Sequence, residues 1–404
     1  MKKLDGVAAI DVGTTKVCTI LAENGPDGLK TVGVGITPSR GMHKGMVVNI
    51  DEAAEAIYQS VKKAEETCNL KVESAYIGVT GRHVTSMNNH GVISINRNDR
   101  LVRPDDLRRV LNATQSVKVA SDRKLLHVIP RSYGVDGQCG VRNPVGMHGT
   151  KLDVETHIIT ATQTSLQNMV KCIRKVGVEV EDLVLEPLAS AEAVLTEEEK
   201  HDGVVLADIG GGTTDIAIFR EGSIWHTAVL PVAGYQLTRD IGIGLGLPFD
   251  VAEQMKKKYG SVMSVYEGKS EAAAEIAADG HGFSYQDLCG ILRARVEELI
   301  KLVRLEICGD EAEKLAPAGL VFTGGSSNLS GLAPLASQML GLPVRIGSPV
   351  GMVGLTDALN DPAYATSVGL MLWGAKHQGR DDWKSPRISI ALRHLAVRLR
   401  NMFH

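Results

Sequence analysis

Two short segments carry the residue types that phosphate chemistry needs, in the same order. The first runs Val7-Ala8-Ala9-Ile10-Asp11-Val12-Gly13-Thr14-Thr15-Lys16-Val17, and the second Val204-Val205-Leu206-Ala207-Asp208-Ile209-Gly210-Gly211-Gly212-Thr213-Thr214-Asp215-Ile216. Each reads as an apolar strand ending in an Asp, a glycine–threonine turn and a second apolar strand. Glycines let a backbone approach a phosphate closely, and the amides of such a turn then point at its oxygens. The hydroxyls of Thr14, Thr15, Thr213 and Thr214 add donors, and Lys16 supplies a point cation. Asp11 and Asp208 are candidates to hold Mg²⁺ through its waters, because that ion keeps most of its hydration shell. Two such hairpins facing each other would clamp a triphosphate together with its Mg²⁺. One hairpin alone could be an ordinary glycine-containing β-turn. The pair, with Gly210-Gly211-Gly212 in the second, is far more specific.

Positioning such turns takes strands and helices in alternation. Each hairpin is followed by a third strand-like run, Val32 to Ile36 and Ile224 to Val232. Asp51 to Asn69 has helical spacing at Ala54, Ile57, Val61 and Ala64, and Ser165 to Val176 at Leu166, Met169, Val170 and Ile173. A long helix is expected over Leu288 to Ile307, and a short buried strand over Gly319 to Thr323, ending in Gly324-Gly325. The order implies an α/β chain of two similar halves with helix-covered sheets. Between about Arg82 and Thr160 the composition turns to short strands, turns and charges, which marks an inserted subdomain.

With 404 residues, 44% of them hydrophobic and 23% charged, the chain has the composition of a soluble globular protein of two or three domains. No run approaches the ~20 apolar residues of a membrane-spanning helix. The start of the chain shows no signal-peptide core, and the six scattered cysteines form no CxxC pair, so a reducing cytosol is the expected setting. The net charge of −3 conceals an asymmetry. Nothing acidic follows Asp382, and Lys384, Arg387, Arg393, Arg398 and Arg400 give that end +5; the other 39 basic and 47 acidic side chains leave residues 1–382 at −8. On a helix, Ile388, Leu392, Leu395, Leu399, Met402 and Phe403 share one face. Arg393, Arg400, Asn401 and His404 fall opposite, with Arg398 at the flank and Ile390 and Val397 interrupting the polar side. That is the design of a helix lying in a membrane interface with its basic side toward anionic headgroups. A helix packed on its own protein, or a basic arm for nucleic acid, would share the pattern. The acidic body offers no basic stripe, so nucleic acid is not expected as a partner.

The two hairpins resemble the phosphate motifs of the actin, sugar-kinase and heat-shock-chaperone ATPase superfamily. Leu320-Val321-Phe322-Thr323-Gly324-Gly325-Ser326-Ser327 is similar to its adenosine motif, and Leu185-Glu186-Pro187-Leu188-Ala189-Ser190-Ala191 to its first connecting helix. The resemblance implies an actin-like, ribonuclease-H-like duplicated fold. It further implies that Glu186 orients an attacking water and that Glu253 and Lys256 contact ribose and base; from the residues alone, Glu186 could be a helix-start carboxylate and the other two a solvated helix pair. The insert, with His127-Val128-Ile129-Pro130-Arg131-Ser132-Tyr133 and Asn143-Pro144-Val145-Gly146-Met147-His148-Gly149, resembles that of the FtsA family of bacterial cell-division proteins. The match runs from Gly6 to about Trp373 and resumes in the last helix.

From this likeness follow the expected halves, residues 1–82, 161–198 and 346–377 for the first and 199–345 for the second, whose outer part spans about 232–308. Residues 83–160 form the insert, 378–387 a linker and 388–404 the membrane helix. The likeness also implies head-to-tail filaments on the cytoplasmic face of the cell membrane at the division septum. They would anchor the tubulin-like protein FtsZ, whose C-terminal tail would dock near Arg295, and recruit later division proteins through the insert. A scaffold rather than an enzyme is expected, with weak ATP hydrolysis. A small-molecule kinase of the same superfamily would need a general base beside a substrate pocket, and none can be assigned. An actin-like scaffold of type IV pilus assembly is the other alternative; the insert and the last helix favour division.

Overall fold

The computed structural model describes residues 2–4, 6–25, 28–115, 119–263, 275–278, 281–307, 316–354 and 357–377. The linker and amphipathic helix expected over 378–404 lie outside the described residues. The two halves are built on five-stranded sheets of the same design. In one, strands run in the order 28–38, 16–25, 6–12, 74–79, 179–185; in the other, 223–230, 214–220, 204–209, 320–323, 344–346. In each, the first three strands are antiparallel neighbours and the last two join in parallel. The duplication expected from the two hairpins is therefore present strand for strand.

The central strands Gly6–Val12 and Val204–Ile209 are buried along almost their whole length, which is why they read as unbroken apolar runs rather than as alternating ones. Helices Ile50–Cys68 and Gln163–Lys175 cover the first sheet through Ile57, Val61, Met169 and Ile173. The second sheet is covered by Gly234–Leu245, Phe249–Tyr259 and Tyr285–Glu306, around Leu237, Met255, Leu292 and Phe322. Between the sheets run Glu186–Val194 and Ala365–His377, sharing one core with residues of both halves. These two helices cross at Gly369, where a Cβ would lie 1.9 Å from the Ala189 carbonyl oxygen, so only glycine permits the approach.

The inserted segment is a four-stranded antiparallel sheet, in the order 138–141, 123–135, 151–162, 84–94, with helix Pro104–Thr114 laid across it. It owns a small core of Ile95, Val102, Val110, Tyr133, Val135, Leu152 and Val154. The expected rigid turn at Asn143-Pro144-Val145-Gly146 is there, with Gly146 at φ +87° and the Met147 amide donating to the Pro144 carbonyl at 3.0 Å.

The chain joins the insert to the first half alone, yet its side chains grip the second. The strand edges 84–94 and 223–230 abut, with Ser86 Oγ donating to the Thr227 carbonyl at 2.9 Å and Asn88 Nδ2 to that of Trp225 at 3.3 Å. The buried His157 bridges Asn88 Oδ1 at 2.7 Å and Thr227 Oγ1 at 2.9 Å. Burial pushes its pKa down to about 3, so it serves this joint as a neutral ring. Arg131 stacks on Trp225 with its guanidinium carbon 3.9 Å from the ring centroid, and Arg220 lies 5.3 Å from the same ring.

Candidate functional site

The two glycine–threonine turns have matching geometry. The Gly13 amide donates to the Lys16 carbonyl at 3.0 Å, and the Gly210 amide to the Thr213 carbonyl at 2.9 Å. They also face each other. A Cβ on Gly211 would lie 2.4 Å from Thr15 Cγ2, and one on Gly212 would lie 2.5 Å from Thr14 Oγ1. Any side chain at either glycine would wedge the turns apart.

Behind the turns sit four acidic groups. Asp11, Asp208 and Asp215 are 7%, 7% and 2% exposed, and Glu186 is half-buried at the start of the connecting helix. Each strand-end Asp is held by hydroxyls from the helices between the halves. Ser367 Oγ donates to Asp11 Oδ2 at 2.6 Å, and Ser190 Oγ and Thr366 Oγ1 donate to Asp208 Oδ2 at 2.6 and 2.9 Å. Asp215 accepts from Thr80 Oγ1, a residue of the first half, and from Thr213 Oγ1 at 3.0 Å. Burial raises all four carboxyls above their ordinary range, and repulsion from neighbouring carboxylates adds to the effect at Asp11, Glu186 and Asp215. For Asp215 the pKa is pushed up to about 7, and Glu186 is raised well above the usual value. Lys16 opposes the rise at Asp11, Asp208 and Glu186; its Nζ donates to the Ala363 carbonyl at 2.5 Å and lies 4.5 Å from the centre of the Tyr364 ring.

Beside the second turn lies the loop 324–327, the one that resembles an adenosine motif. Ser326 Oγ donates to the Gly210 carbonyl at 2.9 Å, tying this loop to the second turn. Gly324 has φ +83° and backs onto Asp208; a Cβ there would be 2.3 Å from Asp208 Oδ1. Glu253 and Lys256 form an ion pair at 2.7 Å on helix Phe249–Tyr259. Lys256 Nζ also reaches the Gly234 carbonyl at 3.1 Å and Thr238 Oγ1 at 2.8 Å, so this is an anchored pair rather than a solvated helix face. A Cβ on Gly234 would meet Ser326 Oγ at 2.6 Å and Lys256 Nζ at 3.5 Å, which brings Gly325, Ser326, Glu253 and Lys256 to one end of the cleft.

Known proteins resemble this chain in sequence and in fold. Residues 205–369 match the family described as cell division protein FtsA, and residues 81–160 match the SHS2 domain inserted in FtsA. FtsA of Pseudomonas aeruginosa is 42% identical over 377 residues, covering 92% of this chain and 90% of that protein. FtsA of Escherichia coli K12 is 36% identical, covering 91% and 90%, and that of Bacillus subtilis 35%, covering 95% and 87%. The chain belongs to the FtsA family. Its fold is actin-like. The PilM–PilN type IV pilus biogenesis complex superposes with a TM-score of 0.68 at 18% identity, covering 91% of this chain and 98% of that one. MreB5 of Spiroplasma citri bound to ADP superposes at 0.53 and 14%, covering 89% and 94%. Both likenesses are of fold. Sequence, which places the chain among FtsA proteins, separates it from the pilus and kinase alternatives.

In this FtsA-family chain the cleft brings together residues from both hairpins, the helix Glu186–Val194 and the loop 324–327. Asp215, the last residue of the second motif, was not singled out from sequence as a site residue, although its place in Gly-Gly-Gly-Thr-Thr-Asp was a usable signal. Thr80, Thr366 and Ser367 left no signal, being isolated hydroxyls that long-range packing delivers to the carboxylates, and Ser190 stands in the quoted helix motif with nothing local to mark its hold on Asp208. Arg295 stands apart on helix Tyr285–Glu306. Its Nε donates to Asp240 Oδ2 at 2.5 Å, and Nη1 pairs with Glu298. An acidic peptide docking there would have to compete with both carboxylates.

Proposed function

We propose that this chain binds ATP with Mg²⁺ between its two phosphate turns and in that state assembles head to tail on the cytoplasmic face of the membrane at the division septum. There it tethers FtsZ, through the FtsZ C-terminal tail, and recruits later division proteins through the insert. What carries the reading is the facing pair of equivalent turns in a chain of the FtsA family. The residues fit the nucleotide. Amides and hydroxyls of Gly13, Thr14, Thr15, Gly210, Gly211, Gly212, Thr213 and Thr214 supply donors, and Lys16 a cation. Asp11 and Asp208 are acidic groups that burial destabilises and that a hydrated Mg²⁺ would relieve. Glu253, Lys256, Gly324, Gly325 and Ser326 would hold ribose and base. Bound Mg²⁺ would neutralise phosphate charge, its usual service to a triphosphate.

Because the turns touch as they stand, phosphates enter only as the halves part. Nucleotide is thereby linked to the relative orientation of the halves, and through that to filament contacts. Glu186, whose carboxyl burial and the neighbouring carboxylates raise well above its ordinary value, would position water. Helix 388–404 would lie in the membrane interface through Ile388, Leu392, Leu395, Leu399, Met402 and Phe403, with Arg393, Arg398 and Arg400 toward anionic lipid. One such helix binds weakly, and a filament multiplies it by avidity.

The test is co-sedimentation with anionic liposomes in ATP and Mg²⁺, comparing the full chain with one ending at Asp382. The full chain is expected to pellet as lipid-bound filaments and the shortened chain to stay in solution. Equal behaviour of the two would overturn the membrane role.

A further inference from the structure

Between the two phosphate turns sits a hairpin that the nucleotide reading leaves without a task. Strands Met42–His43 and Met46–Val47 are joined by Lys44 and Gly45 alone, at φ +47° and +73°. Two left-handed residues in a two-residue turn are the usual solution for a tight hairpin, but Asn or Gly normally takes the first place. A lysine there holds a conformation that costs it free energy, and such strain persists where the position has a use.

The tip is seated on the phosphate machinery. The Gly45 amide donates to Thr14 Oγ1 of the first turn at 3.3 Å, and a Cβ on Gly212 of the second turn would lie 2.9 Å from Lys44 Cα. A Cβ on Gly45 would meet the Thr80 carbonyl at 2.9 Å, and one on Gly81 would meet the Lys44 carbonyl at 3.3 Å. Thr80 is the residue that donates to Asp215, and Gly78, two residues earlier, backs onto Glu186. The hairpin tip therefore lies beside the segment that contacts Asp215 and Glu186, while its His43 ring centre sits 6.0 Å from that of Tyr235, next to Gly234. A triphosphate held by Thr14 and Gly212 would lie against Lys44.

Charge points the same way. Four acidic groups line this cleft, and Lys16 is the cation that acts on them, already engaged by the Ala363 carbonyl and the Tyr364 ring. Lys44 is half-buried, and among the described residues it makes no ion pair. The Lys44 backbone stands against both turns, and a lysine there that is committed to no carboxylate among the described residues can turn its charge to a terminal phosphate.

We propose that Lys44 is a phosphate-binding residue, contacting the terminal phosphate and so distinguishing ATP from ADP. This rests on the nucleotide reading above. Lys44→Gly is the informative variant, because glycine accepts φ +47° without strain and removes only the side chain, while Lys44→Arg keeps the charge. Affinities for fluorescent ATP and ADP analogues would be measured with Mg²⁺, beside thermal melts without nucleotide. Lys44→Gly should weaken ATP about tenfold or more, leave ADP within about twofold, and melt no lower than the unsubstituted chain; Lys44→Arg should recover most of the ATP affinity. Equal losses for ATP and ADP, or no loss for either, would overturn the assignment. If the unsubstituted chain bound neither nucleotide, the nucleotide reading itself would fail, and this proposal with it.

Discussion

Replacing Asp215 by Asn should make the nucleotide-free protein more stable in a way that depends on pH. The folded chain holds the Asp215 proton up to pH about 7, against an ordinary carboxyl value of 3.8. Below 3.8 both folded and unfolded forms are protonated, and the raised pKa has no cost. As pH climbs from 3.8 to about 7 the unfolded chain releases the proton while the folded chain keeps it, so stability falls steadily. Above 7 the full cost is present, about 4 kcal/mol at 1.36 kcal/mol per pH unit. Asn occupies the same space and has no such term. Its amide can bond only one of the two threonines as the carboxylate does, a cost that is the same at every pH. The comparison between pH 5 and pH 8 therefore isolates the ionisation and should amount to about 3 kcal/mol in favour of Asn. Urea unfolding of both chains at the two pH values, without nucleotide, measures it. An Asn-minus-Asp difference that is the same at pH 5 and pH 8 would refute the argument that burial and carboxylate crowding dominate this site.

Two further outcomes follow from the contacts outside the cleft. Trp225→Ala removes the ring on which Arg131 and Arg220 stack, and with it much of the joint between the insert and the second half. It should cost about 2 kcal/mol in chemical unfolding, and a loss under about 0.5 would mean that the strand-edge hydrogen bonds carry the joint alone. Arg295→Ala breaks two partly exposed ion pairs, so stability should change by less than about 1 kcal/mol. Binding of an FtsZ tail peptide, followed by fluorescence anisotropy, should nevertheless fall tenfold or more. Unchanged peptide affinity would remove Arg295 from the docking surface.

The two hairpins could be read from the chain because each is a local device, whereas the helix at Glu186 and the loop at Gly324 stood out only by resemblance to a known superfamily. A strand of buried residues, an Asp at its end and a turn of glycines and threonines span about a dozen positions, and their backbone conformations are set within that span. The repeat of this device at Asp11 and Asp208 was enough to imply two similar halves, and the sheets bear this out in strand order and direction. Charge and apolar spacing likewise set the last segment apart from the acidic body.

What tertiary structure alone decided is the company these groups keep. Ser367 reaches Asp11 across 356 positions of sequence and Thr366 reaches Asp208 across 158, because the last described helix crosses the connecting helix at Gly369. Thr80 and Asp215 meet only when the halves close on each other. The insert's hold on strand 223–230, through Ser86, Asn88, His157 and Arg131, has no counterpart in the order of the chain. Hydroxyls, one lysine in a tight turn and one arginine over an indole carry no periodic or motif signal. Their partners are chosen by packing, which depends on how whole sheets and helices stack and not on any residue's neighbours in sequence.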